Sequence, residues 1–125
     1  MNGIKYLLDT NIIIGLYQQN LNVLALLKTK QVKINECAYS SITRIELLSY
    51  PSITPVDKQT IQFLLNRMAY LAITPEIENE TIEFRKIYQT KLPDSIIAAT
   101  TKYHSLELLT LDKKLANKIT HSLTF

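Results

Sequence analysis

The sequence predicts an α/β domain in which helices cover both faces of a central parallel sheet. Short, almost continuous apolar runs alternate with segments of helical periodicity, which is the pattern of a sheet buried on both sides. The chain contains only 2 glycines and 4 prolines, too few for the many tight turns of an all-β fold. Its 125 residues are the usual size of one domain, so residues 1–125 are assigned to a single three-layer α/β/α unit.

Four apolar segments have the length and character of strands. They lie at residues 4–8, 32–37, 71–73 and 106–111. The first and last are the clearest, and an aspartate follows each of them, Asp9 and Asp112. Strands that alternate with helices form parallel sheets, and ligands bind beyond the carboxyl ends of such strands. Asp9 and Asp112 are therefore expected at the ligand-binding edge.

Helical patterns fill the segments between the strands. The predicted helices begin near residues 12, 23, 41, 56, 75, 95 and 113. Thr10 or Asn11 is expected to cap the first helix, and Ser40 or Ser41 the helix after the second strand. The helix from residue 75 is acidic early and basic late, which suits its dipole.

Two further acids complete a candidate site. Glu46 falls at the margin of the side of its helix that we expect to be buried, and Asp94 opens a helix of apolar and small residues. Taken singly, Asp9, Asp94 and Asp112 can each be helix caps, and Glu46 can have a partner from elsewhere in the fold. Four acids at strand and helix ends can also converge above the sheet, where they would repel each other without a cation.

Oxygen ligands are the only metal ligands that the sequence offers in number. The chain has 1 cysteine and 2 histidines, which lie far apart, so it contains no thiolate or imidazole zinc set. Carboxylates with room for water suit Mg²⁺ or Mn²⁺. Such a metal activates water and neutralises the charge that builds on a phosphodiester during hydrolysis. Cleavage of a nucleic-acid backbone is the reaction that these groups favour.

The rest of the charge suits a polyanionic substrate. Against 14 lysines and arginines the chain carries 11 acids, so only 7 acids remain once the four candidates are set aside. Arg85, Lys91 and Lys113 lie near Asp94 or Asp112 in sequence and are candidate phosphate contacts, although lysines on helices are usually just solvated.

Four short motifs contain the candidate acids in order along the chain. They are Leu8-Asp9-Thr10-Asn11, Ser41 with Glu46-Leu47, the run from Leu92 to Thr100, and Thr110 with Asp112. Together they resemble the motifs of the PIN-domain ribonucleases and, within that family, of the VapC-like toxins. Each motif alone is weak, whereas four in order over nearly the whole chain are specific.

This resemblance implies a PIN fold and a Mg²⁺- or Mn²⁺-dependent endoribonuclease. It implies that Asp9, Glu46, Asp94 and Asp112 hold the metal and activate water. By the same resemblance, three polar neighbours support the acids, namely Asn11, Ser41 and Thr110. The implied substrate is RNA, whereas the candidate phosphate contacts Arg85, Lys91 and Lys113 rest on charge and sequence position alone. The implied partners are a cognate antitoxin and a second copy of the chain.

A non-catalytic PIN-like scaffold that binds RNA or a partner protein is the main alternative. A phosphate-accepting receiver domain is less favoured, because it needs a second acid beside Asp9 and an acceptor at the end of a middle strand. A small haloacid-type hydrolase is disfavoured because Asn11 stands where a second aspartate is needed. We identify no signal peptide and no membrane span, and the lone cysteine suits a reducing compartment, so a cytoplasmic location is expected.

Overall fold

The computed structural model describes residues 3–123, which form four strands and seven α-helices. In chain order these are β1 (Tyr6–Leu8), α1 (Thr10–Tyr17), α2 (Leu21–Thr29), β2 (Cys37–Ser40), α3 (Ser41–Leu48), α4 (Pro55–Asn66), β3 (Ala69–Leu71), α5 (Pro75–Tyr88), α6 (Leu92–Tyr103), β4 (Glu107–Leu109) and α7 (Lys113–Leu123). All strand pairs are parallel, in the order β3-β2-β1-β4. The predicted three-layer α/β/α fold is confirmed.

Adjacent residues of β1 supply the two halves of the core. Successive side chains of a strand point to opposite faces of the sheet. Leu8 faces a core built by α1, α2, α3 and α4, which contribute Ile12, Val23, Leu47 and Leu65. Leu7 faces a second core built by α5, α6 and α7, which contribute Phe84, Ile97 and Leu115. Burial on both faces explains why the central strand β1 is apolar on both of its sides.

A glycine sets the close approach of the first two helices. Gly15 is buried in α1, and a β-carbon added to it would lie 2.4 Å from Val23 Cγ2 and 2.9 Å from Val23 Cβ. Such distances are far below van der Waals contact, so α2 can pack at this position only against a residue without a side chain.

Two strands are formed by different residues from those predicted. The second strand was expected at 32–37, but Ile34–Glu36 form a 3-10 turn and β2 is Cys37–Ser40, whose residues are all buried. The third is Ala69–Leu71 rather than 71–73. Pairing decides both cases, because β2 aligns with β1 on one side and β3 on the other, and a strand is placed by its neighbours rather than by its own apolar content.

Two helix starts also differ from the prediction, and a third agrees with it. Asp9, rather than Thr10 or Asn11, caps α1. Of the two serines expected to cap α3, Ser40 does so by accepting a hydrogen bond from the Ile42 amide at 3.3 Å. The sixth helix begins at Leu92 and not at residue 95, because a proline in the first helical turn removes only an amide that would lack a partner there. Within the described residues, no helix combines the length and apolarity needed to cross a membrane.

Candidate active site

Asp9 lies at the carboxyl end of β1 and is held by hydrogen bonds on both of its carboxylate oxygens. Oδ1 accepts from the amide of Thr10 at 2.8 Å, which makes Asp9 the cap of α1. Oδ2 accepts from Thr110 Oγ1 at 2.7 Å and from Asn11 Nδ2 at 3.5 Å. The residue is only 7% exposed. A buried carboxylate with this many donors has a fixed orientation.

Thr110 connects Asp9 to the segment that follows β4. Its hydroxyl donates to Asp9 and accepts from Asn11 Nδ2 at 3.3 Å and from the Asp112 amide at 3.0 Å. The side-chain oxygen of Asn11 in turn accepts from the Leu111 amide at 3.1 Å. One hydroxyl has one proton and two lone pairs, so Thr110 uses all of its hydrogen-bonding capacity here. The first and fourth sequence motifs are thereby joined into one network.

Asp112 caps α7, which is the structural role that the sequence also allowed for it. Its Oδ1 accepts from the Leu115 amide at 3.0 Å, and its carbonyl accepts from the Ala116 amide at 3.1 Å. The side chain is half-buried. Capping occupies one of the two carboxylate oxygens, so the role of a cap does not prevent the other oxygen from binding a ligand.

Glu46 lies on α3 and reaches the site through Thr10. Its Oε1 accepts from Thr10 Oγ1 at 2.7 Å. The Thr10 hydroxyl also lies 3.1 Å from Thr43 Oγ1, and because it has one proton, Thr43 is the donor of that second bond. Glu46 is exposed, not at the buried margin that the helical wheel indicated, since α3 buries Thr43 and Leu47 instead.

Asp94 is the acid whose pKa is affected by the charges of the other three. It is the third residue of α6 and not its cap, because Lys91 holds the cap position without a side-chain hydrogen bond. Burial raises the pKa of the Asp94 carboxyl above its ordinary value, and the charges of Asp9, Asp112 and Glu46 raise it further, against an opposing effect of Lys91. Three carboxylates that act on a fourth form one acidic cluster.

The donor chemistry of this cluster fits a hard divalent cation. Among residues 3–123, no three histidines, cysteines or acids lie close enough together to hold one metal ion directly. Mg²⁺ commonly binds proteins through one or two carboxylates and keeps several of its waters. Direct coordination by part of the cluster, with water between the ion and the other acids, is compatible with both observations. A cation there would also favour the ionised form of Asp94.

The other predicted polar neighbour, Ser41, makes a different contact. Its hydroxyl accepts from the Ile73 amide at 3.2 Å, which ties the start of α3 to the segment between β3 and α5. The support of Ser41 for the acids stays a prediction.

The three predicted phosphate contacts are exposed and lie around the turn between α5 and α6 and at the start of α7. Arg85 lies in the last turn of α5, where its Nε donates to the Thr90 carbonyl at 3.3 Å. Lys91 precedes α6 and acts on Asp94. Lys113 begins α7, directly after the acid of the fourth motif. All three cations are exposed and belong to segments that carry or adjoin the acids.

Sequence reasoning missed the threonines that orient Glu46. The sequence pattern indicates Thr10 only as a helix cap and gives Thr43 no role. Thr10 stands between two motif residues, Asp9 and Asn11, so its position was a usable signal. Thr43 is fully buried in a helix, where a polar residue indicates a specific hydrogen bond, but its partner lies 33 residues away in the chain.

Comparison with known proteins supports the same family from two directions. The sequence profile described as "PIN domain" matches residues 6–119. A chain of a toxin–antitoxin complex from Klebsiella pneumoniae is 30% identical, with a TM-score of 0.77 and coverage of 88% of both chains. No curated protein matches the sequence significantly.

Two further solved structures share the fold at lower identity. One is FitAcB from Neisseria gonorrhoeae, with 24% identity, a TM-score of 0.77, and coverage of 92% of this chain and 93% of that one. The other is VapBC2 from Rickettsia felis bound to a DNA fragment from its promoter, with 21% identity, a TM-score of 0.72, and coverage of 91% and 92%.

Proposed function

The chain belongs to the PIN domain family, whose members are generally nucleases, and we propose that it is a divalent-metal-dependent endoribonuclease that acts as a toxin. The observation that carries this proposal is the effect of Asp9, Glu46 and Asp112 on Asp94. Acids from separate segments are brought close enough for the charges of three to raise the pKa of the fourth, and carboxyl groups perturbed in this way cluster at functional sites.

The proposed reaction is hydrolysis of an RNA phosphodiester. A bound Mg²⁺ or Mn²⁺ would supply charge neutralisation for the phosphate and acidify a water molecule. A carboxylate of the cluster would accept the proton of the attacking water as the new oxygen–phosphorus bond forms and the bond to the leaving oxygen breaks, and the leaving oxygen would take a proton from solvent water. Asp9 contributes a fixed oxygen position because Thr110 holds it, and Glu46 is oriented by Thr10.

An antitoxin is the proposed protein partner. The 30% identical chain comes from a toxin–antitoxin complex, and the two lower-identity structures share its fold. We propose that a cognate antitoxin inhibits this chain, and that the chain forms a homodimer. Metal-dependent cleavage should therefore be assayed on antitoxin-free protein.

Cleavage of a mixed RNA substrate by purified protein tests the activity. We expect cutting with Mg²⁺ or Mn²⁺, none with EDTA, and a loss of at least about 100-fold in Asp94→Asn, which keeps the shape of the side chain and removes its charge. Glu78→Gln is the matched control, because it removes an exposed acid from the first turn of α5. Equal cleavage by Asp94→Asn and Glu78→Gln would refute the site.

A binding scaffold without catalysis is the second candidate function. The observation behind it is that no three acids of the described residues lie close enough to bind one metal ion directly, so a metal here would depend on fewer protein ligands and on water. The scaffold predicts that Mn²⁺ leaves the unfolding temperature unchanged. The nuclease predicts a rise with metal concentration that Asp94→Asn abolishes, because a ligand that binds only the folded state stabilises it.

A further inference from the structure

A cleft at the end of α5, close along the chain to Asp94, has the chemistry of a phosphate site. Its volume is about 450 Å³, and it is lined by Ile82, Arg85, Lys86, Gln89 and Thr90. We name it the α5–α6 cleft. Two of these residues are cations and none is an acid. Building on the nuclease function proposed above, we propose that this cleft binds a phosphate of the RNA chain next to the one that is cleaved.

The turn between the helices holds Arg85 at the cleft. Gln89 adopts a left-handed conformation with φ of 51°, and its amide donates to the Arg85 carbonyl at 2.8 Å. This turn folds Thr90 back against α5, where the Thr90 carbonyl accepts from Arg85 Nε. No other hydrogen bond of the guanidinium is found among the described residues, so both of its Nη groups can donate. A guanidinium held in this way suits the geometry of phosphate oxygens.

The Thr90 hydroxyl is a buried donor without a partner. Thr90 is only 7% exposed, and within residues 3–123 its Oγ1 is the one buried side-chain oxygen or nitrogen that makes no hydrogen bond. The Thr90 carbonyl accepts from Arg85 Nε at 3.3 Å and lies 3.2 Å from Ser95 Oγ, which ties the backbone at Thr90 to α5 and α6. Buried polar groups are nearly always paired. Rotation of the side chain breaks no hydrogen bond and can turn the hydroxyl toward an anion in the cleft.

The position of the cleft relative to the acids suits a continuous RNA strand. Thr90 lies four residues before Asp94 in the chain. The Ser95 hydroxyl, directly after Asp94, lies 2.9 Å from the Lys91 carbonyl and 3.2 Å from the Thr90 carbonyl, and its one proton is shared between them. Thr90 of the cleft and Asp94 of the cluster therefore lie in one short, connected segment. Lys86 contributes less, because it is exposed and lies 3.7 Å from Glu83.

Binding of a short fluorescent single-stranded RNA in EDTA tests the cleft without cleavage. We expect Arg85→Ala to weaken binding about 10-fold and to reduce the slope of log affinity against log salt by about 0.7, which corresponds to one phosphate contact. Arg67→Ala removes a cation from the end of α4 and should change affinity less than about 2-fold. Equal losses in the two variants would show a diffuse charge effect and overturn the proposal.

Thr90→Val separates a ligand role from a packing role. The variant keeps the shape and removes the unpaired hydroxyl, so we expect weaker RNA binding with an unfolding temperature that is unchanged or raised. Unchanged affinity would show that the hydroxyl serves no ligand and would overturn the proposal. A rise in unfolding temperature with inorganic phosphate that Arg85→Ala abolishes, together with an unchanged RNA affinity of that variant, would assign the cleft to free phosphate and would also overturn the proposal.

Cleavage kinetics distinguish failure of the cleft from failure of the nuclease. If both proposals hold, Arg85→Ala raises KM and leaves kcat nearly unchanged, because the residue does not touch the reacting atoms. If the protein does not cleave RNA, the binding experiments in EDTA still decide whether the cleft exists. If the cleft is absent, KM of Arg85→Ala equals that of Arg67→Ala while metal-dependent cleavage persists.

Discussion

Replacement of Thr110 by valine removes the hydroxyl that links two motifs and changes little else in shape. The hydroxyl donates to the buried Asp9 carboxylate at 2.7 Å and accepts from Asn11 and the Asp112 amide. A hydrogen bond to a charged group contributes about 1.5–3 kcal/mol. Asp9 keeps its bond to the Thr10 amide, so we expect a loss of about 2 kcal/mol in the free energy of unfolding, or about 8 °C in Tm.

Chemical denaturation and metal-dependent cleavage measure the two consequences of this change. We expect activity or metal affinity to fall about 10- to 100-fold, the usual effect of losing a residue that orients a metal ligand. Thr110→Ser restores the hydroxyl and should recover most of both losses. Thr60→Val is the matched control, because its hydroxyl donates only to the exposed Val56 carbonyl. If Thr110→Val lies within about 0.5 kcal/mol of the wild type, the network does not hold Asp9 as argued.

Three further outcomes follow from the same structure. Gly15→Ala should destabilise the protein by about 1–3 kcal/mol through contact with Val23. In a double-mutant cycle measured by chemical denaturation, adding Val23→Ala to that variant should recover part of the loss. The pKa of Asp94 is raised in the folded state, so the contribution of this carboxyl to stability is present in acid and lost as pH rises through that pKa. Without metal, the free energy of unfolding of Asp94→Asn should therefore rise relative to the wild type toward neutral pH. A difference between the two proteins that stays constant with pH would refute this. Burial raises the pKa of the Cys37 thiol to about 11, so a thiol reagent at neutral pH should label the unfolded protein far faster than the folded one.

Several features of the fold follow from local pattern and were predicted. The apolar runs indicated strands buried on both faces, and the acid that ends the first of them indicated the carboxyl edge of the sheet. Thr74 and Pro75 predicted the start of α5, where Thr74 accepts from the Ile77 amide. These signals depend on residues within one turn or one strand, so the sequence records them directly.

The local sequence pattern did not predict which residues form the short strand β2. The segment 32–37 contains the apolar residues Val32, Ile34 and Cys37, yet β2 is Cys37–Ser40, because those residues align with β1 and β3. Val32 and Ile34 pack against the side of the first core instead. A short strand is placed by partners that are distant in the chain, and a local pattern does not contain them.

The candidate site divides in the same way. The sequence by itself determined which acids are candidates and the chemistry that they suit, because residue type and position after a strand or at a helix start are local properties. Only the tertiary structure decided that Thr110 holds Asp9 across 101 residues, that Thr10 rather than a cation orients Glu46, and that Thr90 is buried without a partner beside Arg85. Each of these depends on a distance between elements, which packing of the two cores sets and no single segment of the chain encodes.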